Sequence, residues 1–188
     1  MIIKPLEVLL GSVILGMFAA GSFAQDASTA TFVPKSEIMT ALDAITNLPD
    51  QQVRVVDIGG DINVAVGILR REPTHTDEGE DVSGLVHHKV TEVYYVVSGS
   101  GVLVTGSETS GGREVPAETE IVRELVGPTA FRTILNGQTM TIAAGDVIVI
   151  PAGIAHGFRH IEEQVTYLSI RVDPDQVLPT GYVHPNID

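Results

Sequence analysis

The chain has 188 residues, a formal net charge of −13 and no cysteine. That length suits one domain with a real core, and so acidic a surface repels phosphate backbones, which argues against nucleic acid as a partner. The missing cysteine excludes disulfides, thiolate metal sites, iron–sulfur clusters and a cysteine nucleophile.

The first residues read as an export signal: a short basic start at Lys4, an apolar run over 8–20, and Ser22-Phe23-Ala24 before a cut between Ala24 and Gln25. The run is short for a membrane span and broken by glycines, so no stable membrane insertion is expected after cleavage. This places the mature protein in the periplasm or outside the cell. Residues 25–51 read as an N-terminal extension carrying a helix over 36–47, capped by Ser36, with Ile38, Leu42 and Ile45 on one face.

From 52 to 188 the pattern is that of one β domain. Val- and Ile-rich runs at 53–58 and 62–69 flank the turn signal Gly59-Gly60-Asp61. A polar loop is expected over 72–83, then strands at 85–89, 93–97 and 102–105, the last two joined by a tight hairpin at 98–101. Residues 106–128 read as a long acidic excursion, a candidate lid, with a short strand near 121–126. Strands resume at 131–135, 139–142, 147–150, 157–161 and 165–172, and a proline-bearing tail follows as an irregular strap. Many short strands beside one helix predict an all-β, antiparallel sandwich or barrel.

The chemistry concentrates in two stretches. LVHHKVTEVYYVVSGSG holds His87, His88, Glu92 and Tyr94. Strand alternation puts His88, Glu92, Tyr94 and Val96 on one face. GDVIVIPAGIAHGF delivers His156 just past Pro151 and Gly153, with Phe158 and His160 on its face. If the strands close around a common interior, His88, Glu92 and His156 meet there as two imidazoles and a carboxylate, a facial triad for a divalent metal. His75 and His184 fall in loop-like segments and are expected to play ordinary structural roles. Gly99-Ser-Gly101 precedes a strand rather than a helix, so it makes no dinucleotide fingerprint. No serine sits in a glycine elbow.

These two stretches resemble the motifs of the cupin superfamily. The second motif, glycine, five residues, Pro-x-Gly, two residues, His, is met by Gly145, Pro151, Gly153 and His156, with His160 where an asparagine is usual. The first motif ends in a glutamate, six residues and a glycine, met by Glu92 and Gly99. The resemblance implies a small antiparallel β-barrel, the jelly-roll-like double-stranded β-helix, with His156 turned inward as a metal ligand. It departs from the family in the His-x-His before the glutamate: with His88 as the second histidine the first falls on Val86, and with His87 it falls on Leu85. Either a bulge brings both His87 and His88 to the metal, or three protein ligands suffice, or His160 or His75 completes the set, or the site is weakened or holds no metal.

The resemblance implies a divalent metal, Fe(II) or Mn(II) by preference, on His87 or His88, Glu92 and His156. Glu92 and Tyr94 are the candidate catalytic groups, as base and proton donor. Phe158 and Val96 are expected to line an apolar pocket. The expected activity is an oxygenase-type reaction on a small organic molecule. The alternatives are a small-molecule binder without turnover and a metal-assisted isomerase or lyase. Exposed strand edges and the habit of the superfamily suggest a homodimer.

Overall fold

In the computed structural model, which describes residues 29–187, a short helix is followed by a run of strands up to Asp173 and an irregular tail. The export segment expected over 1–24 lies outside the described residues. Helix α1 spans Lys35–Asp43 and is shorter than 36–47. Pro34 rather than Ser36 stands at its N-cap, in extended conformation and with no side-chain cap bond. The proline ring already fixes the entry angle. Ala41 and Leu42 seat the helix on Val53 and Ile68 of the sheet beneath it.

The strands are β1 Asp50–Asp57, β2 Asn63–Arg71, β3 Thr74–His75, β4 Val82–His87, β5 Thr91–Gly106, β6 Thr109–Glu114, β7 Thr129–Ile134, β8 Gln138–Ala143, β9 Val147–Ile150, β10 Ala155–Ile161 and β11 Val165–Asp173. All pairings among them are antiparallel. The main path runs β1-β2-β11-β5-β10-β4-β7-β6, and β3, β8 and β9 attach to its side. The ladder does not close on itself, since β1 and β6 form its two ends. The fold is an all-β, jelly-roll-like arrangement in which β5 belongs to two sheets at once. Its first half pairs with β11 and β9, its second half with β10 and β8. Between the two sheets lies the main core: Leu69, Tyr94, Val96, Leu103, Ile142, Ile150, Ile161, Val165 and Tyr167.

The structure corrects three sequence expectations. First, the predicted hairpin at 98–101 is absent, because β5 is one 16-residue strand running straight through it. Gly99, at φ +77°, serves a close crossing instead of a reversal: a Cβ there would collide with the Gln164 carbonyl oxygen of the β10–β11 connection. Gly101 likewise makes room for the Phe158 ring. Second, residues 121–126 form a π-helical turn, not a strand, and Val122, Leu125 and Val126 are buried. The excursion does contain a strand, but it is β6, paired to β7. Third, the loop over 72–83 includes β3, which pairs with the end of β10.

The tail is a strap. Val183 bridges Arg54, the Val55 N–H donates to the Tyr182 carbonyl at 3.0 Å, and the His184 N–H donates to the Val53 carbonyl at 3.0 Å. Leu178 anchors it against Val55, Ala65 and Val90. Among the described residues no helix is long and apolar enough to cross a membrane.

Candidate metal centre

His87 ends β4, Glu92 sits near the start of β5, and His156 lies in β10. The turn carrying Pro151 and Gly153 does the joining. The Gly153 N–H donates to the His87 carbonyl at 2.8 Å, so the loop that aims His156 is also tied to the end of β4. Gly153 takes φ +83°, a conformation that costs other residues strain.

All three side chains are buried, and Glu92 Oε2 lies 3.2 Å from Nε2 of both His87 and His156. The ring geometry fixes what those nitrogens carry. The Thr129 hydroxyl donates to the Val86 carbonyl at 2.7 Å and so accepts from His87 Nδ1 at 2.8 Å. His156 Nδ1 donates to the Ile154 carbonyl at 3.1 Å. With Nδ1 of both rings committed to an acceptor, a ring without a second proton turns an Nε2 lone pair toward the carboxylate. Three acceptors facing one point repel one another unless a cation sits among them. This donor set, two imidazoles and a carboxylate, is one that a transition metal takes. The second partners on Nδ1 are the kind that orient histidine ligands. The choice left open by the sequence thus resolves to three converging groups among the described residues: His87, Glu92 and His156.

His88, placed by alternation on the face of Glu92, turns outward instead. β4 ends at His87, and residues 88–90 form a turn, so counting by two from Glu92 fails across it. The His88 N–H donates to Pro128, and its ring meets Glu114 at 2.9 Å on the surface. His160 and His75 are cross-strand partners on the exterior, with their Nδ1 atoms 3.2 Å apart. They do not reach the centre. His184 is buried in the tail beside Gln51.

Behind Glu92 stands a group that the sequence reading missed. Arg171 of β11 is fully buried. Its Nε donates to Glu92 Oε1 at 3.2 Å, while its terminal nitrogens reach Gln52 at 2.6 Å and Asp50 at 2.5 Å. Ser169 donates to the same Glu92 oxygen at 2.7 Å. The carboxylate is therefore split by role: Oε1 faces the arginine and serine, Oε2 faces the histidines. Its signal was present in VTYLSIRV, where alternation puts Tyr167, Ser169 and Arg171 on one face. A polar pair on a buried face calls for a partner.

Burial pushes the Glu92 carboxyl up, but in the metal-free protein the two imidazoles, when they carry a proton on Nε2, and Arg171 outweigh it and hold the group well below the usual carboxylate range. Burial lowers the His87 imidazole, against the pull of Glu92, which favours the neutral ligating form. Tyr94 donates to Glu92 Oε2 at 2.9 Å. Burial, then the neighbouring carboxylate, pushes its phenol well up, so it stays a proton donor. The cluster pairs the charge of Arg171 with two carboxylates, Glu92 and Asp50, so a bound cation offsets the remaining negative charge.

A cleft of about 390 Å³ opens beside the centre on the side of His156 and Tyr94. Phe158, Tyr167, Phe131, Leu103 and Ile161 form its apolar walls, and Arg70 and Arg71 also line it. Phe158 stands where expected. Val96 is packed in the core, away from the cleft lining.

The cupin family model matches residues 82–184, more than half of the chain and all three converging residues. The chain belongs to the cupin family. This cupin is 26% identical to an uncharacterized protein of Streptomyces coelicolor over 113 residues, 60% of this chain and 73% of that protein. Among solved structures it is similar to a Bacillus halodurans protein at 20% identity and TM-score 0.43, covering 84% of this chain and 90% of the other. It is also similar to the ectoine synthase of P. lautus at 15% identity and TM-score 0.43, covering 81% of each chain. A third is an oxalate decarboxylase of Bacillus subtilis, at 19% identity and TM-score 0.39, covering 66% of this chain and 25% of that one.

Proposed function

We propose that this protein is an exported metal-dependent cupin that binds Fe(II) or Mn(II) through His87, Glu92 and His156 and carries out an oxygenase-type reaction on a small organic molecule. The observation carrying this reading is the convergence of two Nε2 atoms on one carboxylate oxygen while Nδ1 of each ring has a partner of its own. A metal bound there supplies Lewis acidity and one-electron chemistry at positions the three protein ligands leave open.

The chain's own groups do the rest. Arg171 and Ser169 hold Glu92 so that one oxygen is presented to the histidines. Tyr94 keeps a proton at its hydroxyl, between Glu92 and the cleft that Tyr94 also lines. Phe158 and Tyr167, with ring centroids 6.0 Å apart, form an apolar wall that keeps water from the substrate's body.

The test is metal content by elemental mass spectrometry on protein beginning at Gln25, beside His156→Ala. Near-stoichiometric iron or manganese, lost in the variant, is expected. Oxygen uptake on a panel of small organic molecules then follows. Metal without oxygen uptake on turnover assigns Lewis-acid chemistry of the isomerase or lyase kind, and metal without turnover assigns a binding role. Absence of metal after anaerobic reconstitution overturns the reading.

A further inference from the structure

The chain holds only 11 Lys and Arg against 24 Asp and Glu, so an arginine without a carboxylate partner is conspicuous. Two stand side by side at the end of β2, Arg70 and Arg71, and both line the cleft beside His156. Neither makes an ion pair with a carboxylate among the described residues. Arg71 donates from Nε to the Tyr167 hydroxyl at 3.2 Å, a neutral acceptor. Its terminal nitrogens have no protein hydrogen bond among the described residues. The Nε of Arg70 is buried and likewise has no partner. Arg171 shows what a settled buried guanidinium looks like in this molecule: it meets Asp50, Gln52 and Glu92 at once.

The terminal nitrogens of Arg71 meet solvent in the cleft, where an anion can take the place of water on them. A guanidinium fork matches the two oxygens of a carboxylate, in the plane and at the spacing that bidentate pairing requires. The remaining walls are Phe131, Phe158, Tyr167, Leu103 and Ile161, which suit a hydrocarbon or aromatic body. The volume of about 390 Å³ falls within the range of roughly 300–1,000 Å³ usual for small-molecule sites. Glu72 also lines the cleft, engaged by Gln164 at 3.2 Å. Its charge disfavours a second negative group on the ligand.

We infer that the cleft takes a small organic monocarboxylate, its carboxylate held by Arg71 with Arg70 beside it and its apolar body lying against the wall of Phe158 and Tyr167, toward His156 and Tyr94. This names a substrate class for the proposed metal centre and rests on that reading for its catalytic meaning. Anion capture itself requires no metal.

The test measures dissociation constants by titration calorimetry for benzoate, phenylacetate and hexanoate, each against its primary amide. Wild type, Arg71→Gln, Arg71→Lys and Arg70→Gln are compared, metal-free and after Mn(II) loading, with manganese counted in each. At least one acid is expected to bind about tenfold more tightly than its amide or better. That preference should vanish in Arg71→Gln and persist in part in Arg71→Lys, which keeps the charge but not the fork, while manganese content stays that of wild type. An acid preference that survives both Arg71→Gln and Arg70→Gln overturns the inference, as does no preference for any acid over its amide. Should Arg71→Gln fail to fold by its thermal melt, Arg71→Lys and Arg70→Gln decide: unchanged preference in both overturns it. Manganese without acid preference sinks this inference alone. Acid preference lost in Arg71→Gln without manganese in any sample sinks the metal reading and leaves the carboxylate site standing.

Discussion

A threonine decides which nitrogen of His87 faces Glu92. Thr129 Oγ1 is a donor to Val86 and therefore only an acceptor toward the ring. Thr129→Val removes the acceptor while keeping the shape, so the ring loses both its tautomer preference and its orientation. Metal affinity should fall by roughly 10–100-fold, as for other partners that orient ligand histidines, read by competition against a chelator of known strength. Arg171 acts on the other side. Arg171→Met leaves Glu92 and Asp50 as buried carboxylates with no guanidinium between them, and breaking such a pair costs about 3–5 kcal/mol. Urea unfolding of the metal-free protein should show a loss of that size, with much of it recovered on metal loading. Glu92 and His156 were legible in the sequence, because the resemblance to the cupin motifs sets each at a fixed offset, Glu92 from Gly99 and His156 from Pro151 and Gly153. The choice between His87 and His88 was not. It depends on where β4 stops, and the turn at 88–90 carries no glycine or proline to mark it.

At the scale of elements, β5 organises the site. It carries Glu92 and Tyr94 in its first half and crosses to the second sheet through Gly99. Gly99→Ala should cost more than about 1 kcal/mol, because a Cβ meets both the left-handed backbone and the Gln164 carbonyl. Gly153→Ala meets the same backbone strain but open space, so its unfolding midpoint should drop less. Midpoints of the two variants in urea check the order. The separate runs 93–97 and 102–105 were legible as strands. Their fusion was not, since Ser98-Gly99-Ser100-Gly101 carries the composition of a reversal and only the segment at Gln164, 65 residues further along this chain, explains the glycine. The π-helical turn at Ile121–Val126 was missed for a related reason: a short apolar run fits a strand or a buried helical turn equally well.

For the molecule as a whole, acid acts through the buried centre. Burial depresses His87 in the folded state, so below about pH 6.5 the unfolded chain takes up a proton that the folded one refuses. Glu92 is also depressed, and its contribution is present above the ordinary carboxyl range and lost as pH falls through its lower folded value. Both slopes have the same sign: stability of the metal-free protein should be level above neutrality, decline below about pH 6.5, and decline further below about pH 4.3. Thermal melts from pH 8 to pH 4 check this. Metal-loaded protein should release its ion over the upper part of that range, since protons compete for the same nitrogens.

The tail strap bears on how the chain is made. β1 precedes the other strands described, and its outer edge is covered by Tyr182, Val183 and His184, which are synthesised well after it. Until those residues emerge, the Val53 C=O and the N–H and C=O of Val55 are a bare template for another chain's strand. The other end of the ladder, β6, is short, polar and bent by a bulge between Ser110 and Arg113, and so recruits strands poorly. A nascent chain, or one clipped before Tyr182, is thus open to runaway stacking at one edge, and the strap residues close it.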